Sequence, residues 1–131
     1  MKTFERLSVV FMDEDHEEFV DQLNSIEVLL KAEAPLEEVD AALSKLIQHT
    51  REHFGHEEEQ MVAINFPPYV PHKREHERVL EGMEGMAARW QDTRDVAWLQ
   101  DQITNLWKWF EIHLDTMDRV TAHFIAKAGN A

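Results

Sequence analysis

The apolar residues of this chain recur at helical spacing in four blocks, and each block, continued by its own rhythm, runs into histidine. Phe19, Leu23, Ile26 and Leu30 are spaced 4, 3 and 4, and one step back along that stripe stands His16. In the second block Val39, Leu43 and Leu46 lead through Thr50 and Phe54 to Met61 and Ile64, and the same rhythm meets His53 and Glu57. The third block, Val79, Met83, Met86 and Trp90, meets His76 and His72 when read backwards. The fourth runs Val96, Leu99, Ile103, Leu106, Phe110, Met117, Val120 and Phe124, and passes over His113. Residues three and four apart share one helix face, so imidazoles stand where core side chains belong.

The breaks between blocks are short. Pro35 sits at the start of the second helix, where its missing N–H matters little. In "NFPPYVPH" three prolines within five residues stop a helix. "RWQDTRD" reads as a turn, with Asp92 or Thr93 expected as the next N-cap. No strand-like alternation of comparable length competes. Four long helices with short connections predict an all-α, antiparallel up-down-up-down four-helix bundle, a single domain over residues 1–131.

Thirteen Lys+Arg against 26 Asp+Glu give a net charge of -13, a surface that repels phosphate backbones and anionic lipid and tolerates cations. Nucleic acid and membrane insertion are therefore not expected. With no cysteine, thiolate metal sites and cysteine catalysis are excluded. "MKTFERLSVVFMDEDH" lacks the apolar length and cleavage site of a secretory signal, and no run approaches the ~20 apolar residues of a membrane span, so a cytoplasmic location is expected. The outer faces offer no patch that names a protein partner.

Each local pattern is weak alone. Chance predicts about 0.5 His-to-His pairs at i,i+4, and the chain has two, His49/His53 and His72/His76. The set is another matter. Unpaired buried polar groups cost roughly 1–3 kcal/mol each, against a total stability of ~5–15 kcal/mol. Five inward histidines and a glutamate would leave little fold unless a cation gathers them. Imidazole-rich donors suit iron, zinc, copper or nickel rather than magnesium or calcium. Five histidines exceed one tetrahedral zinc site, whereas two metals sharing carboxylates use them all, and on facing bundle helices a pair of irons has precedent.

The ordered set "DEDHEEF", "HFGHEE", "HKREH" and "WFEIHLDTMD" resembles the hemerythrins, specifically the single-domain bacterial ones, over nearly the whole chain. The resemblance implies that His72, His76 and His113 bind one iron and His16 and His53 the other, with Glu57 and Asp118 bridging an oxo- or hydroxo-linked pair. It implies reversible binding of dioxygen, as carrier, store or scavenger, and no enzyme activity. A di-iron enzyme handling peroxide or nitric oxide is the alternative. The resemblance also places Trp109 in the oxygen pocket, with Phe19, Leu23, Phe54 and Phe110 as neighbours. Phe110 stands where the family commonly has leucine, and Thr121 where it often has tyrosine.

Asp118 follows His113 by five residues, ~500° of rotation, which on a regular helix leaves it ~140° away. A π-type turn over 113–118 is therefore expected. His49, His56 and His123 read as surface or rim residues. Glu58, Glu59 and the acids from Glu33 to Asp40 read as solvated helix faces.

Overall fold

The computed structural model describes residues 4–129. Four long helical rods account for most of them: α1 (Val10–Lys31), α2 (Leu36–Ala63), α3 (Tyr69–Thr93), and a fourth built from α4 (Val96–His113), a π-helical turn (Leu114–Asp118) and α5 (Arg119–Gly129). Leu114 and Arg119, at the junctions of the fourth rod, keep right-handed helical dihedrals, so it runs on without a break.

Neighbouring rods are antiparallel. Along α2 and α3, Asp40 meets Trp90, Arg51 meets Glu84 and Glu58 meets His76, one number rising as the other falls. Gln22 with His49 and His16 with Glu57 order α1 against α2 in the same way. The expected four-helix bundle is the observed architecture.

The apolar stripes meet in one core in which Leu23, Ile26, Leu46, Met83, Trp90, Leu99 and Ile103 are almost fully excluded from water. That core fills the half of the bundle nearer the α1–α2 and α3–α4 connections. The histidines fill the other half.

The α3–α4 turn departs from expectation. Helix α3 continues through Thr93, Arg94 closes it with a left-handed φ of 51°, and Asp95 caps α4 by accepting from the Trp98 N–H at 3.0 Å. Neither Asp92 nor Thr93 is the cap. Asp40 explains the shift: its carboxylate accepts from the two terminal guanidinium nitrogens of Arg94, at 2.5 and 3.0 Å, and from the Trp90 indole at 2.8 Å. Asp40 is thus a tertiary clamp and not part of a solvated face. Asp40→Ala is expected to destabilise the protein by on the order of 1–2 kcal/mol in urea unfolding, since it leaves the Trp90 N–H without its acceptor.

The fourth stripe also differs. Past His113 the buried residues are Leu114, Asp118, Thr121 and Ala122, while Met117 is half-buried and Val120 and Phe124 are exposed. A π turn inserts one residue into the helical count, so every inward position beyond it moves on by one. Upstream, Trp107 is buried where Leu106 was expected, and Leu106 is half-buried.

Candidate metal centre

Helices α1, α2, α3 and the π turn each send polar side chains into the same buried volume. Helical spacing stacks His72 and His76 one turn apart on α3, and the widened turn brings His113 and Asp118 to one side of the fourth rod. His16, Glu57, His72, His76, His113 and Asp118 are all 5% exposed or less.

The two carboxylates divide their oxygens. Glu57 turns Oε1 toward His76 Nε2 (3.3 Å) and His72 Nε2 (3.5 Å), and Oε2 toward His16 Nε2 (3.7 Å). Asp118 turns Oδ1 toward His113 Nε2 (3.0 Å) and His72 Nε2 (3.1 Å), and Oδ2 toward His16 Nε2 (3.1 Å). Each carboxylate thus shows one oxygen to a three-histidine side and the other to His16.

Several of these atoms are buried with no hydrogen bond: His16 Nε2, Glu57 Oε1, His76 Nε2 and Asp118 Oδ1. The Nε2 atoms of His72 and His113 face each other at 3.2 Å. Donor atoms held ~2.1 Å from one cation lie ~3 Å from one another, so the convergence that hydrogen bonding fails to satisfy is the spacing of a ligand shell. Glu57, His72, His76, His113 and Asp118 together could hold a metal ion.

Their outward nitrogens are held from behind. Thr121 Oγ1 donates to the Met117 carbonyl at 3.0 Å, so it accepts from His72 Nδ1–H at 2.8 Å and leaves the His72 Nε2 lone pair facing the cluster. Glu58 accepts from His76 Nδ1–H at 3.0 Å, so that when this ring is neutral its lone pair is the one on Nε2, facing the cluster. Glu58 is therefore a supporting carboxylate, whereas Glu59 is exposed as expected. Thr121→Val keeps the side-chain shape and removes the acceptor. It is expected to weaken metal binding roughly 10–100-fold in chelator competition, with little change in fold.

Aromatic rings close the chamber. The His76 ring stacks on Phe54 at 3.8 Å, and His113 on Trp109 at 4.7 Å. The Trp109 indole donates to Glu75 Oε1 at 2.8 Å, and Glu75 is pushed down to about 2 by Arg78, aided by the indole. Asp13 accepts from the Leu7 and Ser8 N–H groups, tying down the segment whose Phe4 ring packs 6.2 Å from that of His16.

Burial works against charge on His16 and His76, yet the facing carboxylates win. Asp118 and Glu57 push His16 up to about 10, while Glu57 and Glu58 push His76 up to about 9. Burial likewise opposes ionisation of Asp118 and Glu57, but the imidazoles around them hold both below the ordinary carboxylate range.

A cavity of about 20 Å3, room for one small molecule, lies on the His16 side. Phe19, Phe54, Trp109 and Phe110 line it, together with Asp15 and Thr50. Leu23 does not; one turn beyond Phe19 along α1, it packs in the apolar core. His53 borders the cavity, but its Nε2 is 2.9 Å from Glu18 Oε2 and 3.7 Å from Asp15 Oδ1 and is not gathered to the shared carboxylates. His56 and His123 are exposed, and half-buried His49 contacts Gln22 and Glu18. Spacing gave no signal for Glu18, Glu58, Glu75 or Thr121, because each acts across to a different helix.

A bundle of four helices enclosing an imidazole–carboxylate cluster defines a class of metal-binding helical protein. Residues 7–124 match the family described as "Hemerythrin HHE cation binding domain". A bacteriohemerythrin of Ralstonia nicotianae is 34% identical over 89% of this chain and 81% of its own length. One from Aquifex aeolicus is 27% identical over 90% of each chain, and the myohemerythrin of Sipunculus nudus is 35% identical over 60% of this chain and 58% of its own. The chain belongs to the hemerythrin family, which is known for oxygen binding at a di-iron site. Among the described residues no helix is long and apolar enough to cross a membrane.

Proposed function

We propose that this protein binds dioxygen reversibly at two iron ions, as a carrier, store or scavenger in the cytoplasm, and is not an enzyme. The observation that carries the proposal is the split of both carboxylates between the three-histidine side and His16. His72, His76 and His113 would hold one iron, His16 and His53 the other, with Glu57 and Asp118 serving both. Held there, a ferrous pair would supply two electrons to dioxygen.

The chain's own residues supply the asymmetry. Three imidazoles crowd one side, while the two-histidine side opens on the cavity. Thr121 and Glu58 keep His72 and His76 in the tautomer that points Nε2 inward. The Phe19, Phe54, Trp109 and Phe110 rings limit access of water to the cavity and would shield a metal pair held beside it. Phe110, packed 5.5 Å from the His16 ring, narrows the chamber from the side where the family commonly has leucine.

One observation favours the alternative of a di-iron enzyme acting on peroxide or nitric oxide. Asp15 brings a further carboxylate to the cavity wall, with Oδ2 buried and unbonded. Anaerobic reduction, admission of oxygen and then its removal separate the two. A visible band that forms and reverses over repeated cycles supports oxygen binding. Prompt bleaching to the oxidised form, with turnover of peroxide or nitric oxide, overturns it in favour of the enzyme.

A further inference from the structure

We propose that Asp15, Glu18 and His53 form an outer site for a divalent transition cation, the port through which the buried centre is loaded. Their ligand atoms all lie within 4.8 Å of one another, separate from the inner group of Glu57, His72, His76, His113 and Asp118. Asp15 Oδ2 is buried without a hydrogen bond, and the nearby His56 Nδ1, 3.6 Å away, does not satisfy it. Glu18 faces two imidazoles at once, since it contacts His49 through Oε1 and His53 through Oε2. A carboxylate pair with flanking imidazoles suits Fe2+, Mn2+ or Zn2+.

The donors form a gradient from solvent to interior. Side-chain exposure falls from 62% at His56 and 43% at Glu18, through 25% at His49, to 13% at Asp15 and 9% at His53. It ends at His16, Glu57 and Asp118, at 6%, 3% and 3%. Asp15 and His53 belong to both ends, because they also line the inner cavity. Apart from Thr50 and the inner cluster itself, the rest of that cavity's wall is the Phe19, Phe54, Trp109 and Phe110 rings, a poor passage for a hydrated cation. A ferrous ion captured by Glu18 and Asp15 can shed water stepwise while His53 exchanges its Glu18 contact for the metal and delivers it toward Glu57 and Asp118. The acidic surface, net -13, concentrates cations at such a mouth. The outer site shares His53 with the ligand set proposed for the inner centre, and its loading role rests on the proposed function of that cluster.

Glu18→Gln and His49→Gln, neither of them a proposed inner ligand, test it. Metal-free protein is mixed anaerobically with ferrous iron, and both loading rate and final iron content are measured. Mn2+ binding is followed in parallel by electron paramagnetic resonance, on metal-free and on iron-loaded protein. The expected result is loading slowed roughly tenfold or more in Glu18→Gln at unchanged final iron, with a Mn2+ site present in the wild type and lost in the variant. Should Glu18→Gln fail to fold, His49→Gln is expected to show the same slowing. Unchanged loading rates overturn the port, as does slower loading with lowered final iron, which would make Glu18 only a support for His53. If the wild type takes up no iron, the proposed function fails, while the Mn2+ measurement still decides the outer site.

Discussion

Asp118→Ala is expected to reduce bound iron to well below one ion per chain and to destabilise the metal-free protein by about 3–5 kcal/mol. Asp118 is the residue on which three helices converge: Oδ1 stands 3.0 and 3.1 Å from His113 and His72, and Oδ2 stands 3.1 Å from His16. Its loss removes one of the two shared carboxylates and leaves charged His16 facing Glu57 alone across 3.7 Å. A buried charge stripped of its nearest counter-ion is among the more damaging changes a core can suffer. Asp118→Asn keeps the volume and an acceptor oxygen, so it should recover part of the stability but little of the iron. Iron analysis and urea unfolding of both variants check this. Full iron content in Asp118→Ala would remove Asp118 from the proposed ligand set.

Metal-free protein is expected to lose stability steadily between about pH 6.5 and 10. His16 and His76 are raised on folding, to about 10 and about 9, from an ordinary value of 6.5. Groups raised in this way stabilise the folded state in full below pH 6.5, and that contribution disappears as pH climbs through 9 and 10. For two groups so well buried the loss is on the order of several kcal/mol. Asp118 and Glu57, lowered on folding, contribute above the ordinary carboxylate range, so their share is lost in acid instead. Stability of the metal-free chain should therefore peak at mildly acid pH.

Metal reverses the alkaline limb. An imidazole ligand must be neutral, so loading at pH 8 should release about two protons per chain, from His16 and His76. The stabilisation by metal should accordingly grow with pH. Urea unfolding at pH 6.5, 8 and 9.5, with and without metal, and proton release on loading in weak buffer measure both effects. A metal-free stability that is flat or rising over this range would contradict the assignment of charge to the buried pair.

Periodicity alone determined a good deal of this protein. The apolar rhythm laid down four helices, and because residues three and four apart share a face, it also marked His16, His53, Glu57, His72, His76 and His113 as inward. Asp118 was outside its reach on a regular helix, and the motif order supplied it. The π turn at Leu114–Asp118 is the local distortion that residue requires. The same turn defeated the apolar count beyond it, exposing Val120 and Phe124 and burying Thr121.

What tertiary structure decided is everything that crosses between helices. Glu58 behind His76, Thr121 behind His72 and Glu75 behind Trp109 each belong to a different rod from the group they orient. Asp40 looked like one more acid on a charged face until the end of α3 brought Trp90 and Arg94 against it. The turn of His53 toward Glu18 and Asp15 is of the same kind. Helical rhythm reports which way a side chain points from its own axis. Its partner depends on how far neighbouring rods slide and rotate as the core packs, and no spacing within a single helix encodes that.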